Sequence, residues 1–192
     1  MFTIAVKQRK PHVVVHLGDI GEFEKGEVPL EKTEAYVKRF PGIEFIGIDL
    51  MRLEEKPDRP NWRHIEADFA DGLSQLPDNS VDLISSDMAF GFHDEMGMVD
   101  KRRIMMRDFF HDNFWEHTVE TARQAHDKLK PGGKFLAAVQ EKDSERIAGM
   151  LGKVGFGKVE TREFTEKDYE RTYWTKNYRR HGVKLSQITA VK

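Results

Sequence analysis

Three strand-like segments that each end in an acidic residue follow one another along this 192-residue chain. The acids that end them are Asp49, Asp68 and Asp87. Apolar runs that end in acids are typical of buried parallel strands whose carboxyl ends line a nucleoside-binding crevice. A Pro-Gly-Gly turn at residues 129–133 then leads into another apolar run. The chain is therefore predicted to build a parallel sheet with three carboxylates at one edge.

Strand-like and helix-like segments alternate along the rest of the chain. Predicted strands cover residues 13–17, 45–50, 62–66, 81–86, 135–139, 157–164 and 185–191. Predicted helices cover residues 31–40, 107–129 and 143–154, and residues 73–80 form a short helical turn and a loop. This alternation predicts a three-layer α/β domain with a mostly parallel seven-stranded sheet. No clear helix separates the last two strands, which indicates an antiparallel hairpin at one edge.

Composition limits the broad class of protein. The length predicts a single domain over residues 1–192, and a formal charge of −2 favours no particular partner. The chain has no cysteine, which excludes disulfides, thiolate metal sites and thiol nucleophiles. The first residues do not read as a signal peptide, and no apolar stretch approaches the length of a membrane helix. A cytoplasmic protein without membrane contact is the expectation.

The order and spacing of these segments resemble class I S-adenosylmethionine (SAM) dependent methyltransferases over nearly the whole chain. The resemblance implies a Rossmann-like methyltransferase fold and SAM as the cofactor. It implies that Asp49 accepts hydrogen bonds from the ribose hydroxyls, as acids at this place do in dinucleotide folds. It also implies that Asp68 accepts from the adenine amino group and that Phe69 packs on the adenine ring. Asp71 is a weaker rival for the role of Asp68.

The turn after the first strand departs from the usual pattern of this superfamily. Gly18 and Gly21 remain to let the backbone approach the cofactor, and Asp19 is placed to contact its ammonium group. Glu22 and Glu27 are alternatives for that contact. His16 stands where the superfamily has an acid, and a glycine of the pattern is replaced as well.

The resemblance implies that the residues after the fourth strand face the methionine end of the cofactor and the methyl acceptor. Since strand side chains alternate, Ser86 and Asp87 point to opposite faces, and Asp87 is predicted to be the catalytic residue. His93, in the following segment, is a candidate base. Methyl transfer needs alignment and at most one proton removed, so no nucleophilic triad is expected. No metal-ligand spacing is present among His93, Asp94, Glu95, His111 and Asp112, so no metal site is predicted.

Two basic segments indicate RNA as a partner. Lys101, Arg102 and Arg103 follow the fourth strand, and the arm at residues 169–181 (Tyr169 to His181) interleaves cations with aromatic residues. That combination is typical of proteins that stack single-stranded bases and hold their phosphates, although a solvated, partly packed hairpin arm explains it equally well. The layout is loosely similar to the tRNA guanine-N7 methyltransferase family. The Pro-Asp-Pro-Trp signature of that family is absent, so no substrate residue carries over.

Three functions remain open on the sequence alone. A SAM-dependent methyltransferase acting on RNA, or on a small molecule, fits the three acids. A catalytically degenerate relative that serves as a binding or scaffold protein fits the altered first turn. A Rossmann dehydrogenase is disfavoured because the first turn lacks a Gly-x-Gly-x-x-Gly pattern.

Overall fold

The computed structural model describes residues 13–18, 37–49, 60–87, 89–91, 104–170 and 173–192, without the side chains of residues 104–114, 173, 174 and 177. The strands in this part are β1 Val13–Leu17, β2 Glu44–Asp49, β3 Trp62–Glu66, β4 Val81–Asp87, β5 Leu129–Gln140, β6 Lys158–Glu163 and β7 Leu185–Val191. The helices are α1 Phe69–Ser74, α2 Ile104–Lys128, α3 Glu141–Val154, α4 Glu166–Tyr169 and α5 Tyr173–Arg180. Residues 37–39 are also helical. No helix in the described ranges is long and apolar enough to cross a membrane.

All seven strands form one sheet in the order β3-β2-β1-β4-β5-β7-β6. The pairs from β3 to β5 are parallel, and β7 runs antiparallel to both β5 and β6. The order reverses between β1 and β4, and open α/β sheets bind their ligands beyond the carboxyl ends of the strands at such a point. The predicted fold class, a mostly parallel seven-stranded sheet with an antiparallel edge, is confirmed.

Apolar side chains cover both faces of the sheet. On the first face, Leu17 and Ile48 pack with Leu73 of α1, Ala125 of α2 and Ile147 of α3. On the second face, the cluster consists of buried side chains from β1, β2, β3 and the neighbouring residues 37–43: Val14, Val37, Ile43, Phe45 and Trp62. Alternation along β1 explains this division, because Val14 and His16 point to the second face while Val15 and Leu17 point to the first.

Several boundaries differ from the sequence prediction, two of them for local reasons that the structure shows. Helix α1 begins at Phe69 rather than near residue 73, because the Asp68 carboxylate accepts a hydrogen bond from Asp71 N at 3.0 Å and caps the helix. The Pro-Gly-Gly turn lies inside the bounds of β5, where the register with β4 shifts between Val81 and Leu83. Continuous pairing of β5 resumes only at Lys134, close to the predicted start of the strand.

The prediction that no clear helix lies between the last two strands was wrong. Helices α4 and α5 connect β6 to β7, and the two strands still pair antiparallel. Thr165 and Asp168 form a capping box at the start of α4, a four-residue helix that hydrophobic periodicity could not reveal. We refer to residues 165–184, which include both helices, as the cap.

Candidate cofactor and acceptor site

The carboxyl ends of β1 to β4 bring the predicted acids to one edge of the sheet. Asp49 pairs with Glu66 at the end of β3, and Asp87 pairs with Ala138 of β5. The side chains of Asp49 and Asp87 are both half-buried on the second face. This edge therefore carries Asp49 at the end of β2, Asp68 just beyond β3 and Asp87 at the end of β4, and Gly18 follows β1, the strand between β2 and β4.

Gly18 forms a tight turn at the end of β1. Its φ angle is +80°, and its backbone N donates a hydrogen bond to Ile48 O at 2.9 Å. A β-carbon added at Gly18 would lie 2.6 Å from Ala89 Cβ and 3.9 Å from Phe69 Cζ. Only glycine suits this conformation and this space, so the turn after β1 packs directly on Ala89. Asp19 and Gly21, the other residues predicted in this turn, lie outside the described residues.

Asp68 stands between α1 and α2. Beyond capping α1, its Oδ1 lies 3.8 Å from Nε2 of His117, a residue of α2 that the sequence prediction had not assigned to the site. The Asp68 carboxylate hydrogen-bonds and repels the Asp71 side chain, and this raises the pKa of Asp71 above its ordinary value. Phe69 is partly buried against the first-face core, with the tip of its ring near the position that a Gly18 side chain would occupy.

His16 is paired with a serine rather than with an acid. Its Nδ1 lies 2.9 Å from Ser85 Oγ, and the same hydroxyl reaches Val15 O at 3.4 Å. The register of β1 and β4 aligns the two residues, so their side chains stand beside each other on the second face. The sequence marked His16 as a departure but did not reveal its partner, because the adjacency of β1 and β4 comes from the sheet order.

Ser86 is turned away from the crevice. It is 1% exposed, donates a hydrogen bond to Leu17 O at 3.3 Å and accepts one from Phe90 N at 2.9 Å. Phe90 is buried as well and packs edge-on against Phe135. Of the residues predicted near the acceptor, Asp87 and Ser85 thus share the second face, whereas Ser86 and Phe90 build the core.

The cap lies on the second face beside Asp87. Tyr178 of α5 is 4% exposed and belongs to one buried cluster with Ala138 and Leu185. Because Ala138 pairs with Asp87, only the width of one strand separates this cluster from the predicted catalytic carboxylate. The hydroxyl of Tyr169 accepts a hydrogen bond from Leu185 N at 2.9 Å. Tyr169 and Tyr178 therefore stabilise the cap itself instead of offering open faces to bases.

Ion pairs neutralise much of the charge of the cap. Arg162 of β6 binds Asp168 through two hydrogen bonds of 2.7 and 3.0 Å, and this holds the pKa of Asp168 far below its usual range. Lys176 lies 2.9 Å from Glu170 and lowers the pKa of that carboxyl, while Arg179 pairs with Glu166. Several cations of the predicted RNA-binding arm are thus already matched by acids of the same cap.

Several predicted residues lie outside the described part of the chain. These are the candidate base and the first basic segment: His93, Lys101, Arg102 and Arg103. Arg171 and Thr172 of the arm are also outside it. Among the described side chains, no group of three or more His, Asp or Glu residues could hold a metal ion.

Comparison with solved structures shows what kind of fold this is. A SAM-dependent methyltransferase from Archaeoglobus fulgidus matches over 94% of this chain and 86% of its own, with a TM-score of 0.54 and 15% identity. The 16S rRNA methyltransferase KamB matches over 93% and 86%, with a TM-score of 0.59 and 17% identity. The [4+2]-cyclase SpnF matches over 94% and 75%, with a TM-score of 0.58 and 13% identity.

The chain therefore has the Rossmann-like fold of class I SAM-dependent methyltransferases. No protein-family model and no curated protein matches the sequence. A cyclase shares the fold with the methyltransferases, so the reaction has to be argued from the residues at the crevice.

Proposed function

We propose that this protein is a SAM-dependent methyltransferase whose cofactor lies along the carboxyl ends of β1, β2 and β3. The observation that carries the proposal is the meeting of Gly18, Asp49 and Asp68 at one edge of a sheet with this strand order. A nucleoside needs hydrogen-bond acceptors for its hydroxyls and amino group, and a cation needs nearby negative charge. The described edge supplies both.

Each residue has a distinct part in holding the cofactor. The Asp49 carboxylate accepts hydrogen bonds from the ribose hydroxyls, and Asp68 accepts from the adenine amino group with the capacity that capping α1 leaves free. The φ of +80° at Gly18 forms the tight turn that we place beside the cofactor, and the missing β-carbon lets this turn pack on Ala89. Bound SAM supplies an electrophilic methyl group on a sulfonium centre.

Asp87 is proposed as the residue that orients the methyl acceptor. It ends β4, next to the Gly18 turn and on the same face as His16 and Ser85. A half-buried carboxylate can accept a hydrogen bond from an acceptor N–H or O–H group and take its proton as the new bond to carbon forms. Positioning of this kind supplies most of the acceleration that methyl transfer requires.

RNA is the proposed methyl acceptor. The cap at the acceptor end holds six Lys or Arg residues and three Asp or Glu residues, so its net charge is positive. The side chains of Arg180 and Lys184 are exposed there. Because Tyr169 and Tyr178 are used in packing, the support for RNA is electrostatic. It is the positive charge of the cap, which suits contacts with phosphate groups. The 16S rRNA methyltransferase named above shows that this fold can serve such a substrate.

Calorimetric titration with SAM and with S-adenosylhomocysteine tests the cofactor site. We expect micromolar binding by the wild-type protein and at least a tenfold weaker affinity for Asp49→Asn, since about 1.4 kcal/mol corresponds to tenfold. Glu44→Gln is the matched control, because Glu44 is an exposed residue at the other end of β2, away from the proposed cofactor. No binding at millimolar ligand would contradict the proposal and favour a non-catalytic binding or scaffold protein.

Transfer of a labelled methyl group from SAM to bulk RNA tests the acceptor. Arg180→Glu should reduce transfer and weaken its dependence on salt, because one phosphate contact is replaced by repulsion. Lys158→Glu is the control, since Lys158 is an exposed cation on β6 at the far edge of the sheet. Cofactor binding without RNA methylation would redirect the search to small-molecule acceptors.

A further inference from the structure

Both ends of the cap are fixed at the edge of the sheet that carries Asp87. Phe164 N donates a hydrogen bond to Leu185 O at 3.0 Å, which closes the base of the cap between β6 and β7. Lys184 O accepts from Glu141 N at 2.9 Å, which joins the end of the cap to the start of α3. Since β7 runs antiparallel to β5, its first residue lies opposite Gln140, the last residue of β5. The cap therefore rises from the carboxyl edge of the parallel strands.

The inner side of the cap packs on the second face. Tyr178 and Thr175 of α5 are almost fully buried, and Thr175 donates a hydrogen bond to Tyr169 O at 3.0 Å. Tyr178 joins Ala138 and Leu185 in one apolar cluster. This contact is small, because Phe164, Tyr169 and Val183 are only partly buried around it. Apolar packing of this size leaves the orientation of the cap dependent on polar interactions.

One of these polar interactions is a charged pair between β6 and α4. Arg162 is on edge strand β6, and its guanidinium binds both carboxylate oxygens of Asp168 and also the side chain of Gln187 on β7. Asp168 Oδ2 further accepts from Thr165 N at 2.9 Å and from Thr165 Oγ1 at 2.7 Å. Asp168 thus links the first turn of the cap to two strands of the sheet. Its side chain is only 13% exposed, so water competes weakly with these bonds.

We propose that the cap forms the acceptor-side wall of the crevice and that Arg162 and Asp168 are positioning residues that hold this wall beside Asp87. The designation of this side as the acceptor side rests on the function proposed above. Neither residue touches the reacting groups. Both act by fixing the position of α5. The wall limits which acceptors can reach the Asp87 carboxylate, so these residues influence acceptor selection rather than cofactor affinity.

The absence of cysteine makes the wall directly measurable. In an Asp87→Cys variant, the single thiol reports access to the position of Asp87. A bulky maleimide should react slowly with it while a small methanethiosulfonate reacts readily. Adding Asp168→Asn or Arg162→Lys should accelerate the bulky reagent by about tenfold and the small reagent much less. Asp168→Asn removes the negative charge of the pair, and Arg162→Lys removes the two-point contact of the guanidinium, so either change frees the cap to move.

Glu160→Gln is the matched control for this measurement. Glu160 is on the same strand as Arg162 and pairs with Lys158 at 2.8 Å, with both side chains well exposed. Its loss should leave both labelling rates unchanged. Equal maleimide rates in the parent, Asp168→Asn and Arg162→Lys variants would overturn the proposal. Far-ultraviolet circular dichroism establishes that each variant is folded before labelling.

The cofactor site is tested separately, in a protein that retains Asp87. Asp168→Asn should bind S-adenosylhomocysteine with wild-type affinity, because β5 and β7 separate the Arg162–Asp168 pair from the strands that carry Asp49 and Asp68. A loss of that affinity in the folded variant would overturn the assignment of the Arg162–Asp168 pair to the acceptor side. Failure of the wild-type protein to bind the cofactor would instead contradict the proposed function, while the labelling rates would still decide whether the cap covers Asp87.

Discussion

A β-carbon on Gly18 would lie 2.6 Å from the β-carbon of Ala89. The turn that follows β1 therefore touches the turn that follows β4, with no room for a side chain between them. Ser86 joins the same two segments, because its hydroxyl bonds both Leu17 O and Phe90 N. The segment proposed to face the cofactor and the segment proposed to face the acceptor are thus fixed to each other.

Gly18→Ala is expected to destabilise the protein. The φ of +80° costs an alanine about 1 kcal/mol, and the clash with Ala89 adds roughly 1–3 kcal/mol. Adding Ala89→Gly to this variant should restore the free energy lost to the clash but not the free energy lost to the backbone strain. Gly149→Ala is the control, since a β-carbon there meets nothing and alanine favours its helix. Urea denaturation measures all four free energies of unfolding, and an unchanged value for Gly18→Ala would contradict the described turn.

Ser86→Ala is expected to lower the free energy of unfolding by about 1–3 kcal/mol, because it leaves the buried Phe90 N without its acceptor. Ser74→Ala is the comparison. Ser74 also donates from its hydroxyl, to Asp71 O at 2.8 Å, but it is exposed and water replaces the bond. A similar small effect of both substitutions would show that Ser86 does not join the two turns. Denaturant unfolding at one pH measures the difference.

Elements that depend on contacts local in the sequence were predicted better than contacts between distant segments. β1, β3 and β7 have the bounds that local apolar patterns predicted, since buried strands carry β-branched and aromatic residues in short uninterrupted runs. The pairing of His16 with Ser85 depends on two segments about 70 residues apart and has no local signal. The segment between the last two strands was recognised as an arm but not as helical, and its first helix, α4, is a single turn defined by side-chain hydrogen bonds rather than by periodicity.

The candidate site shows the same division. Asp49 and Asp87 end β2 and β4 in the structure as the sequence predicted, whereas Asp68 lies two residues beyond the end of β3 and caps α1. The two buried hydrogen bonds of Ser86 show that its side chain faces inward. Strand alternation alone places Ser86 and Asp87 on opposite faces but does not say which of them faces inward. The position of His117 beside Asp68 depends on how α2 crosses α1, and this crossing is set by packing on the first face.

Asp71 is expected to make stability decrease as pH rises from acid towards neutral. Its pKa is raised in the folded protein by the Asp68 carboxylate, so the folded state binds this proton more tightly than the unfolded state does. The repulsion is absent below the unfolded pKa of about 3.9 and is complete above the folded one. Asp71→Asn removes it, so the variant should gain stability over wild type across that interval and not below it. Melting temperatures from pH 3 to pH 7 measure the gain, and a constant difference would contradict the coupling.

Asp168 should show the opposite dependence. Arg162 depresses its pKa, so its contribution to stability is present above the unfolded pKa of about 3.9 and is lost as pH falls towards the folded value. At pH 7 we expect Asp168→Asn to cost about 1–2 kcal/mol, a modest value because Arg162 is half-exposed. The cost should remain constant down to about pH 5 and shrink below pH 4. Glu160→Gln, which breaks an exposed pair on the same strand, should cost much less at every pH. Equal costs for the two substitutions at pH 7 would mean that the Arg162–Asp168 pair is an ordinary surface contact that does not hold the cap.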